Sequence, residues 1–420
     1  MQIIFISLFL LFSSPGISIA EEILSWEDCI KEAAKNHPDL ISAKEVLKQS
    51  QANKEITKSS ALPQVGASVS ASSSKKSTAE GTDETYSYGV TATQLLFDGF
   101  KAQDDIKAAS EDLQAARYGF QYASSQVRKE LRAAFINLLK AQELSVITEE
   151  IYKIRKSNLD LITLRYESGV EHKGALLKAR ANLAQAQLEI DENKRNINSA
   201  QRELSSHLGR TESSRLKVNG SLGVKFAKEE SPDFDKLAQA HPNLAKYVSQ
   251  RNSAVFSLKS AKAGFIPELN AHGGASRSSS EWPPEGEAWN AGLTLSVPIF
   301  EGGLKTAQLR KAEAVYNQAV ADEKSVRNSV AVSIEKAWGE LISAVDSVDI
   351  ERQFLDAAEE RAKISEEQYS LGLIQFDNWT IIEDDLVRAK KAFLDAQINA
   401  LVSEANWIQA KGETLEYAQN

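Results

Sequence analysis

The sequence predicts a mainly α-helical protein carrying a membrane β-barrel, built from two structural repeats in one chain. Three observations predict it: an internal duplication at a near-constant offset, two long proline-free stretches of helix-forming composition, and four short segments of period-two alternation. HPDL at 37–40 returns as HPNL at 241–244, 204 residues on, and Pro63 returns as Pro267 at the same distance. LLFDG at 95–99 returns as PIFEG at 298–302, at an offset of 203. Phe135 and Trp338, Tyr166 and Tyr369, Gly169 and Gly372, and Gly209 and Gly412 are related by the same 203 residues. A single one-residue length difference thus separates two halves, 21–220 and 221–420, each reading helix, two strands, long helix, turn, helix.

Ahead of the first repeat, MQIIFISLFLLFSSPGISIA is an apolar run closed by small residues at Ser18 and Ala20. It reads as a signal peptide over 1–20, cleaved before Glu21, although no Lys or Arg precedes the apolar core. A membrane anchor is the alternative, for which the run is short. No other segment approaches twenty apolar residues.

The first helix is expected from about Ser25, a plausible N-cap, to Leu62, with Pro63 closing it. A strand hairpin follows over 64–97. Val65, Ala67, Val69 and Ala71 alternate with Gln64, Gly66, Ser68 and Ser70, and Tyr86, Tyr88, Val90 and Ala92 alternate with Ser87, Gly89, Thr91 and Thr93. Each strand therefore has one apolar and one small polar face. The second hairpin, over 267–300, repeats this, with Trp289, Ala291, Leu293, Leu295 and Val297 on the apolar side. Tyr86, Tyr88 and Trp289 suit the aromatic girdle of a membrane barrel, whose apolar band is about 25 Å tall. A small soluble hairpin buried on one face is the competing reading.

Long helices are expected over 99–165 and 303–368, each roughly 100 Å at 1.5 Å per residue, with return helices over 174–208 and 376–411. No proline lies between Pro63 and Pro232 or after Pro298. Leu131, Ala134, Leu138 and Ala141, then Ile147, Ile151, Ile154 and Leu161, recur at coiled-coil spacing, with an apparent heptad break between Ala141 and Ile147. A soluble coiled-coil rod would explain these helices equally well, but not the strands.

At FDG and FEG a strand becomes a helix. Gly99 and Gly302 can swivel there without a Cβ, Asp98 and Glu301 place negative charge at a helix start, and Phe97 and Phe300 would pack at the transition. Tyr166–Val170 and Tyr369–Leu373 read as turns, with Gly169 and Gly372 at the residue where a helix ends and reverses.

Composition excludes several classes. A net charge of −9 argues against nucleic acid as a partner. The five histidines are scattered, without HExxH and without cysteine partners, and neither a phosphate-binding loop nor a G-x-S-x-G elbow is present. No enzyme activity, metal or cofactor is expected, and Cys29, the single cysteine, reads as a small core residue.

A membrane β-structure must close on itself. One chain supplies four strands where the smallest outer-membrane barrels have eight, so several copies must share a barrel: eight strands from two chains or twelve from three.

The two-repeat layout, FDG and FEG, and YESGV and YSLGL before each return helix resemble the TolC family of outer-membrane efflux proteins over essentially the whole mature chain. The resemblance implies a homotrimer with one 12-stranded barrel in the lipid of a Gram-negative outer membrane and a long coiled-coil α-barrel in the periplasm. It implies a passive export duct of a tripartite efflux or type I secretion system, docked to a periplasmic membrane-fusion adaptor and an inner-membrane pump of RND or ABC type. Tyr166, Gly169, Val170, Tyr369, Gly372 and Leu373 would then form the periplasmic tip that meets the adaptor, with Tyr369, Asp377 and Asn378 as possible gate residues. In the family, gate carboxylates tend to lie six and nine residues after the second tip glycine. Here those positions hold Asn378 and Ile381, with Asp377 adjacent. The alternative is a periplasmic coiled-coil structural or adaptor protein without a channel. The residues do not choose among drugs, metal ions and proteins as cargo.

Overall fold

A computed structural model describes residues 22–75, 82–212, 215–223 and 231–415. The segment 1–20, expected to be a signal peptide, lies outside them. Contacts divide the chain into two compact units, each discontinuous in sequence. One is built from residues up to Ala33, Leu131–Gly223 and Glu351–Ile398, the other from Ala34–Glu130, Val224–Ile350 and the residues from Asn399.

The duplication is visible element by element. In the first half β1 (Glu22–Leu24) and α1 (Trp26–Asn36) lead to α2 (Pro38–Ser59), β2 (Gln64–Ser74), β3 (Asp83–Phe97), α3 (Lys101–Glu167) and α4 (Lys173–His207). After β4 (Leu216–Val218), the second half gives α5 (Phe234–Ala240), α6 (Pro242–Ala263), β5 (Glu268–Ser279), β6 (Gly286–Ser296), α7 (Leu304–Ser370) and α8 (Phe376–Ala410). Corresponding helices match in length: 22 residues for α2 and α6, 67 for α3 and α7, 35 for α4 and α8.

The structure corrects the single opening helix expected over 25–62. It breaks at His37, because Pro38 has no N–H to continue the ladder. His37 instead caps α2, its Nδ1 accepting the Asp39 N–H at 3.2 Å. His241 does the same for Asn243 at 3.1 Å, and burial keeps its imidazole below the usual histidine range, hence neutral and able to accept. The second hairpin is also shorter than expected: β6 ends at Ser296, and Val297–Phe300 continue without strand pairing.

In the unit that contains the hairpins, the four strands form one antiparallel sheet in the order β2-β3-β5-β6. The register sets Val69, Tyr88, Arg277 and Glu287 in one row, and Ala67, Val90, Ala275 and Trp289 in the next. These rows belong to the apolar face. On the other face Gly66, Thr91, Gly274 and Asn290 align. The same unit has a helical core of Ala238, Val330, Ile334, Ala337, Leu341, Trp407 and Ala410, with Trp338 against Trp407 at 5.1 Å.

In the other unit the unpredicted strands β1 and β4 pair in parallel. Gln142 fastens them to α3, its amide exchanging two 2.9 Å hydrogen bonds with the Val218 backbone. Trp26 packs edge-on against Phe135 at 5.7 Å beneath the Arg132 guanidinium. Cys29 is buried, and burial pushes its thiol up to about 12, so it is an unreactive core residue.

Arg210 clamps β1 and α1, donating Nε to Glu32 at 2.5 Å and Nη1 to Glu22 at 2.6 Å. These hydrogen bonds hold the Glu22 carboxyl below the usual carboxylate range. A depressed carboxylate pKa contributes stability above the unfolded value, about 4.3, and loses it as pH falls through the folded value. Because the cluster is partly exposed, Arg210→Ala is expected to cost only about 1–2 kcal/mol at neutral pH. Urea unfolding of wild type and variant should converge in acid.

The stripe buried along α3 also departs from the apolar pattern. Among its buried members, Ala134, Ala141, Thr148, Arg155 and Ile162 keep a spacing of seven, with Leu131, Leu138 and Ile151 beside them. The break expected after Ala141 does not interrupt this row and shows only beside it, where Leu131 and Leu138 are followed by Ile151, one residue ahead of the heptad position. Ile147, Ile154 and Leu161 are only partly buried, because the row itself passes through the polar residues Thr148 and Arg155. Thr148 satisfies its hydroxyl on the Leu144 carbonyl at 2.9 Å, and Arg155 pairs with Asp384 at 2.5 Å.

Candidate functional site: the two turns and the strand–helix junctions

Both helix-reversing turns close with the same backbone motif. At the first, the Gly169 N–H reaches the Tyr166 carbonyl at 3.0 Å and the Val170 N–H reaches Arg165 at 2.9 Å. At the second, Gly372 reaches Tyr369 at 3.0 Å and Leu373 reaches Gln368 at 2.8 Å. This pair of bonds requires a left-handed residue at the glycine, and both glycines have φ of 76°. Val170 and Leu373 are exposed, as are Leu371, Asp377 and Asn378.

The structure brings residues of both turns together. Tyr369 is 1% exposed and stacks on Trp379, ring centroids 4.4 Å apart and 6° from parallel, with Phe376 edge-on to both. Its hydroxyl donates to Glu171 Oε2 at 2.8 Å, and the Arg165 guanidinium lies 4.8 Å over its ring. Burial and the Glu171 carboxylate both push the Tyr369 hydroxyl up, so it stays a neutral donor at any physiological pH. Ile162, Ala175, Leu176 and Ala179 complete the cluster.

Sequence reasoning missed Glu171, Arg165, Phe376 and Trp379. Of these, only Phe376 and Trp379 had a local signal, the FDNW run just after the second turn, since an aromatic pair three residues apart lies on one helix face.

The junctions are asymmetric. Asp98 does cap α3, its Oδ2 accepting the Ala102 N–H at 2.7 Å. Gly99 is buried with φ of 70°, and Phe100 after it is also left-handed at 67°, packing edge-on against Phe97 at 5.8 Å. In the second repeat the matching pair is Gly302 and Gly303, at 60° and 85°. Phe300 is 87% exposed and Glu301 is exposed, so within one chain Phe300 does not pack as Phe97 does. Among the girdle candidates, Tyr86 and Tyr88 are half-buried, each edge-on to Trp282 at 6.3 Å. Trp289 is 83% exposed on the apolar face.

The model of the outer membrane efflux protein family matches residues 29–210 and 234–413, one match to each repeat. The chain belongs to the outer membrane efflux protein family. It is a transport protein of the outer membrane, and family members are ducts rather than enzymes. The outer membrane efflux protein BepC of Brucella suis is 22% identical over 90% of this chain and 83% of its own length. Among solved structures, the CmeC outer membrane channel of Campylobacter jejuni aligns with a TM-score of 0.82 at 20% identity, over 92% of this chain and 85% of that one. The outer membrane protein VceC of Vibrio cholerae aligns at 0.81 and 19% identity, over 93% and 96%. The fold of this efflux protein is therefore that of TolC-like channels, and a coiled-coil rod without a channel is set aside. No described helix is long and apolar enough to cross a membrane.

Proposed function

We propose that three copies of this chain close their sheets into one 12-stranded barrel, continued by a helical tunnel, and that this duct carries cargo out of the cell. In this reading a periplasmic adaptor and an inner-membrane pump of RND or ABC type dock at the turns around Gly169 and Gly372 and open the duct. Tyr166, Val170 and Leu373 offer contact surface there. Tyr369 holds the turns together through Glu171, and Asp377 and Asn378 line the approach. The pump supplies the energy, so the duct itself needs no chemistry.

One observation carries the reading: the sheet ends in two strands, β2 and β6, that among the described residues each pair on one side only, while its apolar face stays uncovered. Leu293 on that face is 68% exposed and Val65 is similarly bare. Hydrocarbon tolerates such a face but not such edges. Identical chains joined β6 to β2 in a closed ring cover every edge.

Reconstitution in planar lipid bilayers tests this. The expected result is discrete conductance steps from a particle with the mass of three chains. A soluble monomer that gives no steps would contradict it.

A further inference from the structure

Inside one chain, β3 lies beside β5, which joins the second strand of one repeat to the first strand of the other. A closed ring joined β6 to β2 makes the same kind of step, now between two copies. The inner step is therefore a template for the outer one. At the inner step, the residues leading into β5 cover the junction that follows β3. Ile266, directly ahead of Pro267, lies over the buried Gly99, so close that a Cβ on the glycine would stand 2.7 Å from the Ile266 Cβ. Phe97 beside it packs on Phe100.

At the outer step the matching place stands open. Gly302 matches Gly99 at the offset of 203 residues, and at Gly302 and Gly303 no atom beyond their chain neighbours lies within 4 Å of where a Cβ would stand. Ile299 is 94% exposed, and Phe300 is almost as bare. Gly303 replaces the Phe100 of the first repeat, so the ring on which Phe97 packs has no counterpart here. The duplication also names the residue that should cover this place. Leu62 matches Ile266 at the offset of 204 that relates Pro63 to Pro267, it directly precedes Pro63 and β2, and it is 51% exposed. Scattered exposed apolar residues are ordinary, but these lie at one junction and at the one position the repeat brings to it.

We infer that Leu62 of one copy seats over Gly302 and beside Phe300 of the next, sealing the seam where barrel passes into tunnel. The inference rests on the reading of the sheets as a closed ring. The two glycines leave room for the incoming side chain, and burying Leu62 against Phe300 removes apolar surface of both from water. Lipid is the rival occupant beside Phe300. The inner step argues for protein, because there the matching glycine is covered by the chain itself. Leu62 branches at Cγ, whereas Ile266 branches at Cβ, so Leu62 turns aside more easily. An alanine at Gly302 therefore stays a mild change even with the seam closed.

Photo-cross-linking of the full-length protein in outer membranes tests this, with Phe300→p-benzoylphenylalanine as the probe. Irradiation should give species of two and three chains on a denaturing gel, and the cross-linked peptide should contain Leu62. The same probe at Phe97, on a strand flanked on both sides by its own chain, should give single-chain products. In parallel, Phe300→Ala and Leu62→Ala should each speed dissociation of the assembled particle in detergent several-fold. The double variant should be little worse than either, since both remove one contact. Circular dichroism should leave the helix content of all three unchanged. If the particle has the mass of three chains but the Phe300 probe reacts only with lipid, with its own chain or with nothing, the inference is overturned and the ring stands. A particle with the mass of one chain would overturn the ring and the inference together.

Discussion

Gly99→Ala is expected to lower stability by about 3 kcal/mol and to deplete assembled protein, while Gly302→Ala at the matching place in the second repeat costs only about 1 kcal/mol. Both positions are left-handed, so both substitutions carry backbone strain. Space separates them. A Cβ on Gly99 would lie 2.7 Å from Ile266 Cβ and within 3 Å of two more atoms of that side chain, whereas nothing lies within 4 Å at Gly302. Ile266 is branched at the clashing atom and cannot swing aside without moving its backbone. Phe100 shows that strain alone is survivable, since it holds φ of 67° with a full side chain. Gly372 is also in open space. Gly372→Val should therefore leave assembly intact and impair export, because a β-branched residue disfavours the left-handed turn. Thermal melts and the yield of membrane-assembled protein check the Gly99 and Gly302 variants, and a dye-efflux assay checks Gly372→Val.

Leu293→Arg is expected to abolish recovery from the outer membrane, and Asn290→Arg to be tolerated. The two residues lie on opposite faces of β6, Leu293 opposite Ala271 and Asn290 opposite Gly274. A charge on the lipid face near the bilayer midplane costs about 2–4 kcal/mol, and a ring of identical chains incurs it in every copy. On the polar face arginine meets water and alters ion selectivity instead. Membrane fractionation of the two variants checks this. Equal recovery of both would show that the apolar face does not meet lipid.

How legible these features were in the sequence follows from the range of the interactions behind them. The strands and long helices were legible because their signals are local: period two in Val65–Ala71, proline-free runs, and glycine at fixed places. The junction and turn glycines were legible for the same reason. The break at His37 was signalled by the proline beside it, yet the opening segment reads as one helix, because proline is also compatible with a kinked helix. The buried stripe of α3 was misread where polar residues take apolar places. Arg155 earns its burial from Asp384, 229 residues away, and no local pattern announces that. The cluster at the two turns was legible only in part: Tyr369 stood out by its repeat position, while Glu171 and Trp379 meet it only in the folded chain. The pairing of β1 with β4 had no signal beyond two apolar residues in each of two three-residue segments, EIL and LKV.

The central claim is that identical chains close one barrel through β6 and β2. Disulfide trapping tests it directly, with a cysteine at Val65, Ala67 or Val69 combined with one at Trp289, Ala291 or Leu293. Cys29 is buried and unreactive, so it does not compete. Oxidation in native membranes should yield, for pairs in register, a covalent ring of three chains on a denaturing gel. Chains that remain single, or that stop at two, would contradict the claim.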